Sequence, residues 1–130
     1  MAREIETKCI HLEEEENSIN HYGAISYPIY QSATYAHPGV GQSTGYDYSR
    51  LQNPTREHLE KTVASLENGI DALAFSSGMA AITLMMELFK PGDHLIVDAD
   101  LYGGSIRLFN HVSEKNGIEF SSVDCHKENV

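Results

Sequence analysis

ALAFSSGMAAITLMMELFKPGDHLIVD, residues 72–98, is the stretch on which the fold turns. A short apolar run at residues 72–75 has the length and composition of a buried strand. Ser76-Ser77-Gly78 then breaks the run, and apolar residues recur at helical spacing over residues 78–89. Lys90-Pro91-Gly92-Asp93 halts that helix, and HLIVD at residues 94–98 reads as a second strand. Strand, turn, helix, turn, strand is the signature of an α/β unit with a parallel sheet.

The flanks extend the alternation. Upstream, Asn53 is placed to cap a helix with Pro54 at its first position, where a missing N–H costs nothing. Leu59, Val63 and Leu66 keep the helical period, and Asn68-Gly69 supplies a left-handed stop. Downstream, a third helix is expected over residues 105–115 and a third strand over IEFSSVD, residues 118–124. Leu84, Met85 and Met86 are expected in the core. Residues 11–50 differ in texture, being rich in Tyr, Ser, Gly and Pro, with little period beyond a short helix near their start. They read as an arm over residues 1–52 that needs a surface to lie against. Three strands leave an apolar sheet edge uncovered, so the 130 residues are expected to be the leading part of a longer protein.

Composition narrows the partners. The net charge of −10, from 19 acidic against 9 basic residues, argues against nucleic acid and anionic membranes, both of which need a basic face. No apolar run reaches the ~18 residues of a membrane span, and the first residues do not form a signal peptide. Cys9 and Cys125 stand far apart, outside any CxxC pair, and are expected to be inert free thiols in a reducing cytoplasm. The seven histidines are scattered without metal-ligand spacing. Glu13 to Glu16 read as a solvated face.

Three places carry chemistry. At Ser77-Gly78-Met79 a helix begins at a strand's carboxyl end, and free backbone N–H groups there suit a phosphate; a plain serine N-cap explains the same residues. The run lacks the GxGxxG, P-loop and GxSxG patterns, which points to a compact phosphate monoester more than to a nucleotide. In YDYSRLQNPTR, residues 46–56, an extended backbone puts Tyr48 and Arg50 on one side, an O–H donor beside a charged fork. The alternative is an exposed Arg with a surface Tyr; Tyr46 reads as packing. In DLYGGS, residues 100–105, Tyr102 follows a strand and offers a ring for stacking, or else fills a turn. A flat aromatic ring carrying one phosphate satisfies all three places, and pyridoxal phosphate (PLP) is such a ligand.

YSR followed by NPT, then SSGM and YGG at these spacings, resembles the Cys/Met-metabolism family of PLP enzymes, which includes cystathionine gamma-synthases and gamma-lyases. The likeness runs from YGAISYPIYQSATY at residues 22–35 to GIEFSSVD at residues 117–124. It implies an aspartate-aminotransferase-like α/β fold (fold type I). Residues 1–52 would be an arm contacting a neighbouring subunit, and residues 53–130 the opening of the cofactor domain. By resemblance, the Gly78 and Met79 amides hold the phosphate with Ser77 beside them. Tyr48 and Arg50 clamp the phosphate of a neighbouring subunit, and Tyr102 stacks on the pyridine and takes part in proton transfer from the substrate amine.

The resemblance further implies a homodimer or homotetramer acting on sulfur amino acids by gamma-elimination or replacement. O-acetylhomoserine sulfhydrylase and cystathionine beta-lyase are the alternatives within the family, and a non-catalytic oligomerisation fragment is the rival outside it. Gly103 after Tyr102 argues against the methionine gamma-lyase branch, and STGYDYSR fits bacterial synthases and lyases. The family's Schiff-base Lys, pyridine-facing Asp and carboxylate-binding Arg find no match here. Lys8, Lys61, Lys90, Lys115 and Lys127 all lie in other contexts, as do Asp98 and Asp100. The 130 residues alone are expected to be inactive.

Overall fold

Asn53 organises the first helix of consequence. The computed structural model describes residues 4–11 and 24–126, and in it Asn53 is extended (φ −141°) while its Oδ1 accepts from the amides of Thr55 and Arg56. Helix α2 (Pro54–Leu66) follows, after a single turn α1 (Ile5–Lys8). The Asn53 Nδ2 donates at 3.1–3.2 Å to the Tyr30 carbonyl, the Tyr35 hydroxyl and the Ser49 hydroxyl. One amide side chain thus caps the helix and ties residues 30–49 to it. Asn53→Ala is expected to cost about 2 kcal/mol, roughly half from the cap and half from the lost donors. Urea unfolding checks this; a loss below about 0.5 kcal/mol would show the network to be ornamental.

Helix α2 ends as its sequence requires. Asn68 takes the left-handed conformation (φ 54°), and the Gly69 amide closes on the Ala64 carbonyl at 2.8 Å. Residues 72–75, expected as a strand, form none. The Ala74 amide donates instead to the Glu60 carboxylate of α2 at 2.8 Å, and no ladder partner is offered to this run among the described residues. The chain divides into two compact units, Met1–Ala74 and Phe75–Val130.

In the second unit, helix α3 (Gly78–Met86) stops three residues short of its expected end. The amides of Glu87, Leu88 and Phe89 bond three residues back, tightening the last turn and satisfying its carbonyls. Gly92 then turns the chain at φ 95°, and Asp93 accepts from the Lys90 amide. Strand β1 (His94–Asp98) pairs in parallel with β2 (Glu119–Val123), His94 opposite Glu119 and Asp98 opposite Val123. Helix α4 (Gly103–Leu108) and a π-helical turn (Phe109–Ser113) form the crossover. The helix begins two residues before the expected start. In the π-helical turn the Glu114 amide reaches back to the Phe109 carbonyl, and the Phe109 ring stacks on Phe120 of β2 at 4.9 Å.

The fold is therefore α/β with a parallel sheet as expected, of two strands among the described residues where three were expected. Ser105, Ser113 and Ile118 are buried. Leu84 and Met85, expected in the core, are 44% and 60% exposed. Helix α3 is apolar except for Thr83, and within this unit it packs against α4. The acidic run Glu13 to Glu16, and the short helix expected near it, lie outside the described residues.

Candidate functional site

Ser77 is extended (φ −159°, ψ 157°), and its Oγ accepts from the Ala80 amide at 3.2 Å while its carbonyl accepts from Ala81. Capping and phosphate binding are compatible at this turn. The serine satisfies the third amide of α3, and among the described residues nothing accepts from the amides of Gly78 and Met79. Two free donors therefore sit at the positive end of a nine-residue helix. A Cβ placed on Gly78 would meet nothing within 4 Å, so the space beside the helix's first residue is open.

Tyr102 stands at the start of α4, its carbonyl accepting from the Ser105 and Ile106 amides and its ring 70% exposed. The two helix starts meet at Gly104. A Cβ there would lie 2.5 Å from Tyr102 Cε1 and 3.0 Å from Met79 Sδ, so ring and thioether pack over the bare glycine. Ser105 Oγ reaches the same sulfur at 3.9 Å. The fold thus brings Ser77, Gly78, Met79 and Tyr102 to one place. The tight packing at Gly104 was not foreseen, and the doubled glycine after Tyr102 was the available signal.

The other two candidates lie together in the first unit. An isolated antiparallel bridge pairs Tyr48 with Thr34, flanked by bonds from Tyr35 to Asp47 and from Ser49 to Ala33. The chain then turns, the Leu51 and Gln52 amides returning to the Tyr48 carbonyl. Tyr48 and Arg50 were expected to meet through extended alternation; the turn brings them together instead. The Arg50 guanidinium lies 5.0 Å from the Tyr48 ring centroid, a cation–π contact that keeps the charge exposed. No carboxylate among the described residues pairs with Arg50. Tyr46, by contrast, donates its hydroxyl to Glu57, and burial with that carboxylate pushes the phenol far above its usual range. It packs rather than titrates.

Other groups are accounted for. The Asp98 carboxyl is held below its usual range, chiefly by the Asp100 amide at 2.9 Å, and so stays ionised at the end of β1. Desolvation and that carboxylate push the Cys125 thiol up, away from the reactive thiolate. Cys9 is also free. Among the described residues no cluster of three or more His, Cys, Asp or Glu can hold a metal ion. No helix among them is long and apolar enough to cross a membrane.

A family model described as Cys/Met metabolism PLP-dependent enzyme matches residues 6–130. The chain belongs to this family. The cystathionine gamma-synthase/O-acetylhomoserine (thiol)-lyase of Bacillus subtilis is 47% identical over all of this chain and 36% of its own length. The cystathionine gamma-lyase of the same organism is 54% identical over 78% of this chain and 27% of its own. A solved cystathionine gamma synthase from Xanthomonas oryzae, in complex with aminoacrylate and cysteine, superposes with a TM-score of 0.86 at 34% identity. That match covers 98% of this chain and 33% of the solved one. The chain thus spans about a third of the length of the relatives it matches. The family depends on pyridoxal phosphate, and unengaged amides at one helix start with an exposed ring at the next fit a phosphorylated pyridine.

Proposed function

We propose that these residues form part of a PLP-dependent transsulfuration enzyme, a cystathionine gamma-synthase or gamma-lyase. The observation that carries this reading is the pair of unengaged amides at Gly78 and Met79, at a helix start whose Met79 side chain shares the Gly104 surface with the Tyr102 ring, in a chain of this family. The amides hold the phosphate, with Ser77 fixing the turn that aims them. Tyr102 would stack on the pyridine, and its hydroxyl would take part in proton transfer from the substrate's amine. Tyr48 and Arg50 of the partner subunit add a hydroxyl and a guanidinium to the same phosphate, so the working unit is a homodimer or homotetramer. When bound, the cofactor supplies the electron sink that stabilises negative charge on the amino-acid substrate. A Lys, an Asp and an Arg that match none of these 130 residues complete the machinery, and the 130 residues alone lack activity. The acidic surface and free thiols suit the cytoplasm.

The double name of the B. subtilis relative favours one second reading, O-acetylhomoserine sulfhydrylase; beta-lyases among the relatives keep cystathionine beta-lyase beside it. The test uses the protein at the full length of its gene. Purified with excess PLP and dialysed, it is expected to be yellow and to turn over cystathionine or an activated homoserine. Cysteine against sulfide as the acceptor separates synthase from sulfhydrylase, and cysteine against homocysteine as the product separates gamma- from beta-lyase. A protein that stays colourless would overturn the reading and leave a non-catalytic oligomerisation fragment.

A further inference from the structure

Arg56 breaks a local rule. It is the third residue of α2, where a cation opposes the helix dipole and an acidic residue is preferred. Its side chain is only partly exposed. It runs back past the Asn53 cap, where Nη1 donates to the Ser49 carbonyl at 3.2 Å and Nη2 to the Leu51 carbonyl at 2.5 Å. Those two carbonyls flank Arg50. The third arm, Nε, lies 3.6 Å from Glu60 Oε1, the oxygen that also accepts from the Ala74 amide at 2.8 Å. One planar fork therefore grips the backbone on both sides of Arg50, while Glu60 fixes the fork's angle.

We infer that Arg56 is a positioning residue, steadied by Glu60, which holds the Ser49–Arg50–Leu51 turn so that the Arg50 guanidinium is preorganised for a phosphate. The inference rests on the reading of Arg50 as a phosphate clamp. Arg50 makes no ion pair of its own with the described residues, and its side chain is exposed. Its aim is therefore set by its backbone and by the Tyr48 ring. A charged side chain on a loose turn loses more freedom on binding, and preorganisation removes that cost. Lysine at position 56 keeps the charge but cannot bond two carbonyls and a carboxylate from one plane.

The test compares affinities for PLP and for pyridoxal, in the protein at the full length of its gene. Both ligands carry the same ring and aldehyde, so the ratio isolates the phosphate, and a general loss of stability leaves it unmoved. Arg56→Lys is expected to lower the ratio about fivefold to tenfold, and Arg50→Ala more. Glu60→Gln, which keeps an acceptor for the Ala74 amide, is expected to lower it about twofold to threefold and gives a milder probe should Arg56→Lys fold poorly. In the cofactor-free protein, the Leu51 and Gln52 amides should exchange faster in both variants. An unchanged ratio in Arg56→Lys and Glu60→Gln, beside a lowered one in Arg50→Ala, would overturn the positioning role alone. An unchanged ratio in Arg50→Ala would remove the clamp reading and this inference with it.

Discussion

Arg50→Ala is expected to cost the protein about one to two decades of affinity for pyridoxal phosphate. The lost contact is a charge-assisted one, worth roughly 1.5–3 kcal/mol. The guanidinium that makes it is exposed, unpaired among the described residues and held over the Tyr48 ring. Tyr48→Phe removes a neutral hydroxyl but leaves the ring under the cation, so its cost is smaller, on the order of 0.5–1.5 kcal/mol. Dialysis against graded cofactor measures both. A second experiment asks which copy receives the clamp. A subunit carrying Arg50→Ala is mixed with one carrying Gly78→Trp, and dimers containing one of each are isolated. If the clamp of one copy serves the phosphate site of the other, one of the two pockets is intact and binding returns to about half of the sites. No recovery in verified mixed dimers would require each copy to serve itself.

What the sequence disclosed and what it withheld divide along physical lines. The Asn53 cap with Pro54, the Asn68 stop, the SSG turn and strands β1 and β2 were legible because short-range chemistry settles them. The missing strand at residues 72–75 was not. An extended apolar run becomes a strand when a neighbour offers a ladder, and the Ala74 amide is taken by a side chain instead. Leu84 and Met85 show the same limit. Their pattern says helix, but burial depends on what packs against the helix. The meeting of Tyr48 with Arg50 was foreseen and its route was not, since a turn whose carbonyls are bound by Arg56, six residues on from Arg50, leaves no mark in strand periodicity. Arg56 did leave a mark, as a cation in the first turn of a helix, and such locally unfavourable residues are where a functional constraint is worth seeking.

Gly78 and Gly104 are expected to fail in opposite ways when given a side chain. At Gly78 nothing lies within 4 Å of the added Cβ. Gly78→Val should therefore fold as well as the parent, since valine is also the better helix residue. Its branch fills the approach to the Gly78 and Met79 amides, and two hydrogen bonds to a charged phosphate are lost together. PLP affinity is expected to fall by about two decades or more, while pyridoxal, which carries no phosphate, binds almost as before. At Gly104 even a methyl group would sit 2.5 Å from the Tyr102 ring and 3.0 Å from the Met79 sulfur. The ring is exposed and free to swing aside, so Gly104→Ala should fold with a penalty of about 1 kcal/mol, but the stacking face is displaced. Loss of an aromatic contact worth about 0.5–1.5 kcal/mol weakens both ligands alike, by roughly twofold to tenfold. The two variants thus separate the phosphate seat from the ring platform by which ligand suffers. Undiminished PLP binding in Gly78→Val would exclude the amide pair as the phosphate seat. If Gly104→Ala leaves both affinities unchanged, Tyr102 is a turn residue and another group must face the pyridine.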